Sequence, residues 1–176
     1  MFDRRYADRF GEIRVRFCRD GFVVGRDNPL IRLRSRFGSP TYGGIPASPD
    51  DVDFDTVAAL GLVGNTHVVD CSSDDPMHYR FAVYGIKSRV ESRRNFQSRR
   101  IQDAGWQALK QFAASDYSRI KASGRYDLVA VEYELDGNRT AYRRLVIPLA
   151  RHGREVSHLL VAMVMQEIEV PLGPQD

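Results

Sequence analysis

The chain has two cysteines, one tryptophan and no apolar run long enough to cross a bilayer, and each shortage excludes a class of protein. Cys18 and Cys71 could form at most one bridge, and neither has a CxxC or Cys/His neighbour at zinc spacing, so both read as ordinary reduced thiols. The longest apolar run, Leu159 to Met165, falls far short of the roughly 20 residues a membrane-spanning helix needs. Arginines are scattered through the first twenty residues, where a signal peptide would carry an apolar block, so a cytoplasmic protein without membrane insertion is expected. The four histidines, His67, His78, His152 and His158, show no HxxxH spacing, and there is no Gly-x-Ser-x-Gly elbow or phosphate-cradling glycine loop. Ser157-His158 beside Glu155 is not expected to form a triad, because successive strand residues point to opposite faces. These absences argue against an enzyme and leave no metal site; no cofactor is indicated.

What is present is enough apolar residue for one core. At 176 residues and 43% hydrophobic, the chain fits a single domain better than two. Its net charge of +3 is segmented. Residues 1 to 40 hold ten arginines against five acids, and residues 41 to 78 hold seven aspartates with no Lys or Arg. Seven basic residues against the single acid Glu91 follow between Tyr79 and Arg100. The acidic stretch is expected to neutralise one basic block within the fold and leave the other as a positive surface.

Ile13, Val15 and Phe17 alternate with Glu12, Arg14 and Arg16, the period of a half-buried strand, and Asp20-Gly21 offers a turn before Phe22 to Val24. A rival pattern of threes and fours makes residues 3 to 17 a helix. Ile31, Leu33 and Phe37 against Arg32, Arg34 and Arg36 read as another strand. Residues 38 to 55, rich in Pro, Gly and Asp, form a linker or wrapping loop. Leu62 to Cys71 and Tyr79 to Ile86 read as a hairpin, followed by the basic, irregular stretch from Lys87 to Arg100. Asp103 is the expected cap of a helix whose apolar stripe runs through Trp106, Leu109, Phe112, Ala113, Tyr117 and Ile120 until Gly124 ends it. Arg125 to Leu135 and Arg139 to Leu149 flank an Asp136-Gly137-Asn138 turn. A further turn at His152-Gly153 leads to Val156 to Ile168.

Two strands, an irregular helical stretch, one longer helix and three antiparallel strands are the element order of the PAS domain. Residues 47 to 168 resemble a bacterial family of small, stand-alone PAS-like proteins. The segments that carry the resemblance are SPDDVDFD (48 to 55), YRFAVYG (79 to 85), NFQSRRI (95 to 101), YRRLVIPLARHG (142 to 153) and VSHLL (156 to 160). Ala82 stands where the family has a basic residue and Ile86 where it has threonine; Asn95 and Ser98 replace an acid and a glycine. The resemblance implies an α+β fold, a five-stranded antiparallel sheet with helices on one face. Residues 1 to 46 would form an arginine-rich extension and linker, residues 47 to 170 the PAS-like domain and 171 to 176 a tail. It also implies a sensory or regulatory module that acts through a small molecule, a partner protein or both, with no ligand or signalling partner specified.

Three candidate surfaces follow. Trp106, Phe112 and Tyr117 on the helix would face Phe81, Tyr142 and His158 on the strands and line a small-molecule pocket, or else pack as plain core. Arg14 with Arg16, and Arg32 with Arg34 and Arg36, would line one face of a two-stranded ribbon, a shape some nucleic-acid binders lay into a groove; the competing reading is an edge whose charges deter aggregation or pair with the aspartates of 50 to 55. Residues 156 to 165 alternate between two apolar faces: Val156, His158, Leu160, Ala162 and Val164 on one, Ser157, Leu159, Val161, Met163 and Met165 on the other. The second face requires a cover, either the N-terminal arm or another copy of the chain in a homodimer.

Overall fold

A computed structural model describes residues 4–9, 11–17, 27–38, 46–86, 95–135, 138–151 and 155–166. Cys18, the expected turns at Asp20-Gly21, Asp136-Gly137 and His152-Gly153, the strand at Phe22 to Val24, and the C-terminal tail lie outside them.

Seven strands make one antiparallel sheet: β1 (Arg4–Asp8), β2 (Gly11–Phe17), β3 (Thr66–Asp70), β4 (Arg80–Val83), β5 (Asp127–Leu135), β6 (Asn138–Leu149) and β7 (His158–Gln166), in the order β1-β2-β5-β6-β7-β3-β4. The five strands from Thr66 onward, with one long helix between the second and third, have the element order expected of a PAS-like fold. The sheet is wider than expected because the N-terminal segment adds two strands. Ile13 and Val15 are fully buried where β2 pairs with β5, so the alternating reading of this segment holds and the helical one does not.

The long helix, α3 (Gln107–Ser123), ends where Gly124 takes φ 61°, a left-handed turn that costs glycine little. It begins at Trp106, not at Asp103, whose carboxylate instead accepts the Arg100 N–H in the preceding short turn. The buried residues of α3, among them Phe112, Ala113, Tyr117 and Ile120, lie on the sheet face that carries Val69, Val146, Leu159 and Val161.

The opposite face is also covered, contrary to the one-sided arrangement expected. Asn28 caps a short helix, α1 (Pro29–Leu33), with its side chain accepting from Leu30 N–H, and a wider turn continues through Arg34–Gly38. This segment was expected to be a strand. Proline at the first helical position fixes φ for a helix and lacks a donor that would go unused there, and Leu30, Leu33 and Phe37 then fall on one side at helical spacing. With Val57 from α2 (Phe54–Ala59) and Leu62, they seal Val68, Leu128, Leu145, Ile147, Leu149, Leu160 and Ala162. Burying such a side chain is worth about 1.5–3 kcal/mol, so the cover contributes substantially. The apolar face that seemed to require a second copy is therefore closed within the chain.

The β4 edge is closed too. Phe81 N–H donates to the Arg99 carbonyl, Ser98 N–H to the Phe81 carbonyl, and Ile101 N–H to the Tyr79 carbonyl. Ser98 makes this turn with φ 62°, a left-handed conformation that glycine adopts at lower cost. Gly85 sits against the segment before β3, where an added Cβ would come within 2.3 Å of the Gly64 carbonyl oxygen. Urea denaturation should show Ser98→Gly gaining about 1 kcal/mol, because glycine removes the left-handed penalty. Gly85→Ala should lose about 1–3 kcal/mol, the range for overpacking against a contact that cannot yield.

Candidate functional site

The interior between α3 and the sheet contains charge. Asp116, on the buried side of α3, is fully buried and its carboxylate meets the guanidinium of Arg144, which points inward from β6 and is itself only 2% exposed. Arg144 lies over the Phe112 ring with its Cζ 4.5 Å from the centroid, and is 5.7 Å from that of Tyr117. Arg4 reaches the same carboxylate from β1, and Arg119 pairs with Asp127 at the start of β5. Removing two ions from water costs several kcal/mol each, which only close geometry and further hydrogen bonds offset. The three arginines and two aspartates thus hold strand, helix and N-terminal hairpin in one arrangement.

Beside this cluster stands a group of rings from β3, β4 and the segment after β4. His67 stacks on Tyr84 with centroids 4.3 Å apart and planes 9° from parallel, and Phe81 and Phe96 pack edge-on or tilted against the pair. The His67 Nδ1 accepts the Gly85 N–H at 3.0 Å, which places the ring proton on Nε2. Burial pushes the His67 pKa down to about 3, so the ring is neutral at physiological pH. Burial also raises the Tyr117 hydroxyl, and holds that of Tyr142 well above the usual tyrosine range. Tyr84 acts electrostatically on both, so the three phenols share one neighbourhood.

Of the residues proposed for a pocket, Phe112, Tyr117 and Tyr142 come together around Arg144, and Phe81 joins the adjoining ring group. Trp106 lies further along. It tilts against Tyr133 at 6.0 Å and donates its indole N–H to Asp8, while Tyr133 in turn meets Tyr142 at 6.1 Å. His158 is not part of this group. It shares the opposite face of β7 with Leu160 and Ala162, and stands across from Asp70 on β3. Ser157 precedes β7 and is therefore free of strand alternation; its Oγ lies 3.0 Å from His158 Nδ1. Glu155 is exposed, and among the described residues no hydrogen bond or ion pair joins His158 to a carboxylate, so the pair lacks the third member of a triad.

The arginine rows do not form a ribbon. Arg32 and Arg36 are exposed on the α1 segment, while Arg34 donates to the Tyr126 hydroxyl at 3.2 Å and lies over its ring. Arg14 pairs with Glu12, which also meets Arg5; the Arg16 side chain lies outside the described residues. Asp50 pairs with Arg151 at 3.6 Å, while Arg36 of the arm acts electrostatically on Asp53. Among the described arginines of this block, Arg4, Arg5, Arg14 and Arg34 thus meet partners within the chain, while Arg32 and Arg36 stay exposed.

The sequence reading missed His67, Tyr84, Phe96, Asp116 and Arg144. Two of these had a signal. Asp116 stands four residues from both Phe112 and Ile120 on the apolar stripe of α3, and Arg144 alternates with apolar residues on a strand buried on both faces. An acid and a base each set in an apolar pattern imply one buried pair.

No family model and no curated protein matches the chain. Among solved structures it is similar to an RNA-binding light-oxygen-voltage receptor, at 12% identity and a TM-score of 0.42, over 69% of this chain and 36% of the receptor's. The chain thus spans about a third of that receptor's length, and similarity of this degree assigns no function.

Removing one partner of the buried pair leaves the other uncompensated, so Asp116→Ala should lower stability by about 3–5 kcal/mol, whereas Asp116→Leu combined with Arg144→Met should cost much less. Chemical denaturation checks both. The His67 pKa is depressed from about 6.5 to about 3, so the unfolded chain binds a proton first as pH falls. The stability this group contributes is fully present above pH 6.5 and is lost between 6.5 and 3, at roughly 1 kcal/mol per pH unit. Denaturation midpoints of wild type and His67→Gln should therefore converge as pH is lowered through this window.

Proposed function

We propose that this protein is a non-enzymatic, PAS-like sensory or regulatory module that takes a small molecule between α3 and the sheet and passes the resulting change in packing to a partner protein. The observation that carries this reading is the convergence of the buried His67 ring and Tyr117 phenol with the half-buried phenols of Tyr84 and Tyr142 beside Arg144. Aromatic surface with a few convergent polar tips suits capture of a small, flat molecule with hydrogen-bonding edges. The element order of strands and helix from Thr66 to Gln166 supports the same reading.

A ligand that favours one arrangement of α3 shifts the population of the whole module by its differential affinity for that arrangement. The helix is the natural transmitter, because Phe112, Asp116 and Tyr117 connect the ring group to the N-terminal hairpin through Arg144 and Arg4. Native mass spectrometry of freshly purified protein should show a small-molecule adduct, or a metabolite panel should raise the melting temperature of the wild type by several degrees and that of Tyr84→Ala by much less. An apo mass alone, together with a melting temperature no metabolite moves, sinks the reading.

A further inference from the structure

β1 touches α3 with every second residue. At the N-terminus of the helix, Asp8 accepts the Trp106 indole N–H at 2.9 Å and the Ala108 backbone N–H at 2.8 Å. One step along, the Tyr6 ring meets Phe112 at 5.6 Å, and its hydroxyl lies 3.4 Å from Ser115 Oγ. Arg4 then reaches Asp116 and lies 3.7 Å from Asp127. The strand therefore runs along the helix in the opposite direction, fastened at three levels by a cation, an aromatic ring and an acid.

The fastening differs in kind from that of β2. Ile13 and Val15 of β2 are 2% and 0% exposed, whereas no side chain of β1 is fully buried. Arg4 is also the surplus charge of its cluster. Arg144 is paired with Asp116 and Arg119 with Asp127, so withdrawal of Arg4 leaves two cations and two anions still matched. Partial burial and the neighbouring Arg119 both disfavour the charge on Arg4. Departure of β1 would thus uncover no buried apolar side chain of its own and strand no buried ion.

We propose that β1 is a releasable strap on α3, whose opening exposes the first two turns of the helix and the outer edge of β2 while β2 and the rest of the sheet stay in place. The exposed groove is built for an extended segment with a cation, an aromatic and an acid at alternate positions, and the chain's own Arg4, Tyr6 and Asp8 are that segment. This goes beyond the sensory reading and requires no ligand.

Ala108 provides a reporter, because an N–H in the first turn of a helix has no intrahelical acceptor and here it donates to Asp8 of β1, whose departure would remove that acceptor. In hydrogen exchange on the full chain, the amides that join β1 to β2 should exchange at least about 100-fold faster than those that join β2 to β5. Arg4→Gln should accelerate the β1 amides and Ala108 together by about tenfold, with less than about threefold change at the β2 to β5 amides. Equal exchange of the two sets in the wild type, which needs no variant to fold, overturns the proposal. So does acceleration of both sets alike in Arg4→Gln.

Discussion

The pairing of Asp116 with Arg144 fixes one helical position over one strand position, and the rest of the interior is arranged around it. Apolar packing alone would let α3 slide or turn by a residue at little cost, because dispersion contacts are non-directional. A buried carboxylate that must find a buried guanidinium permits no such freedom. Phe112 and Tyr117 flank the cation and exclude water from it, so the helix presents ring faces and acid together. Arg4 and Arg119 extend the constraint to the first strand and to the start of β5.

This arrangement accounts for the asymmetry of the two sheet faces. The α3 side combines ions, phenols and a neutral histidine. The other side, sealed by Leu30, Leu33, Phe37, Val57 and Leu62, is purely apolar among its buried cluster residues. The buried cluster on this face is held by apolar area.

Charge along the chain follows the same logic. Arginines crowd the N-terminal forty residues, yet Arg4, Arg5, Arg14 and Arg34 each meet an acid or a phenol of the same chain. The basic block counted in sequence is therefore largely structural. Among the described residues, Arg32 and Arg36 of the first block remain exposed, and Arg99 and Arg100 of the second lie beside the closed β4 edge.

The sequence determined what local periodicity and turn chemistry control: the alternating strands β2, β5, β6 and β7, the stop at Gly124, the two apolar faces of β7 from His158 onward, and the element order from Thr66 onward, whereas Val156, expected beside Leu160, precedes the strand and packs with Leu159 and Val161. Only the tertiary structure decided the rest. Residues 29 to 38 alternate as a strand would, but also satisfy helical spacing, and the demand of an uncovered sheet face selected the helix. Asp8 caps a helix about a hundred residues away, and His67 meets Tyr84 across a hairpin. Contacts of that kind depend on which strands become neighbours. Periodicity shows which way a side chain points, but what it meets there is decided when loop closure and burial bring distant segments together.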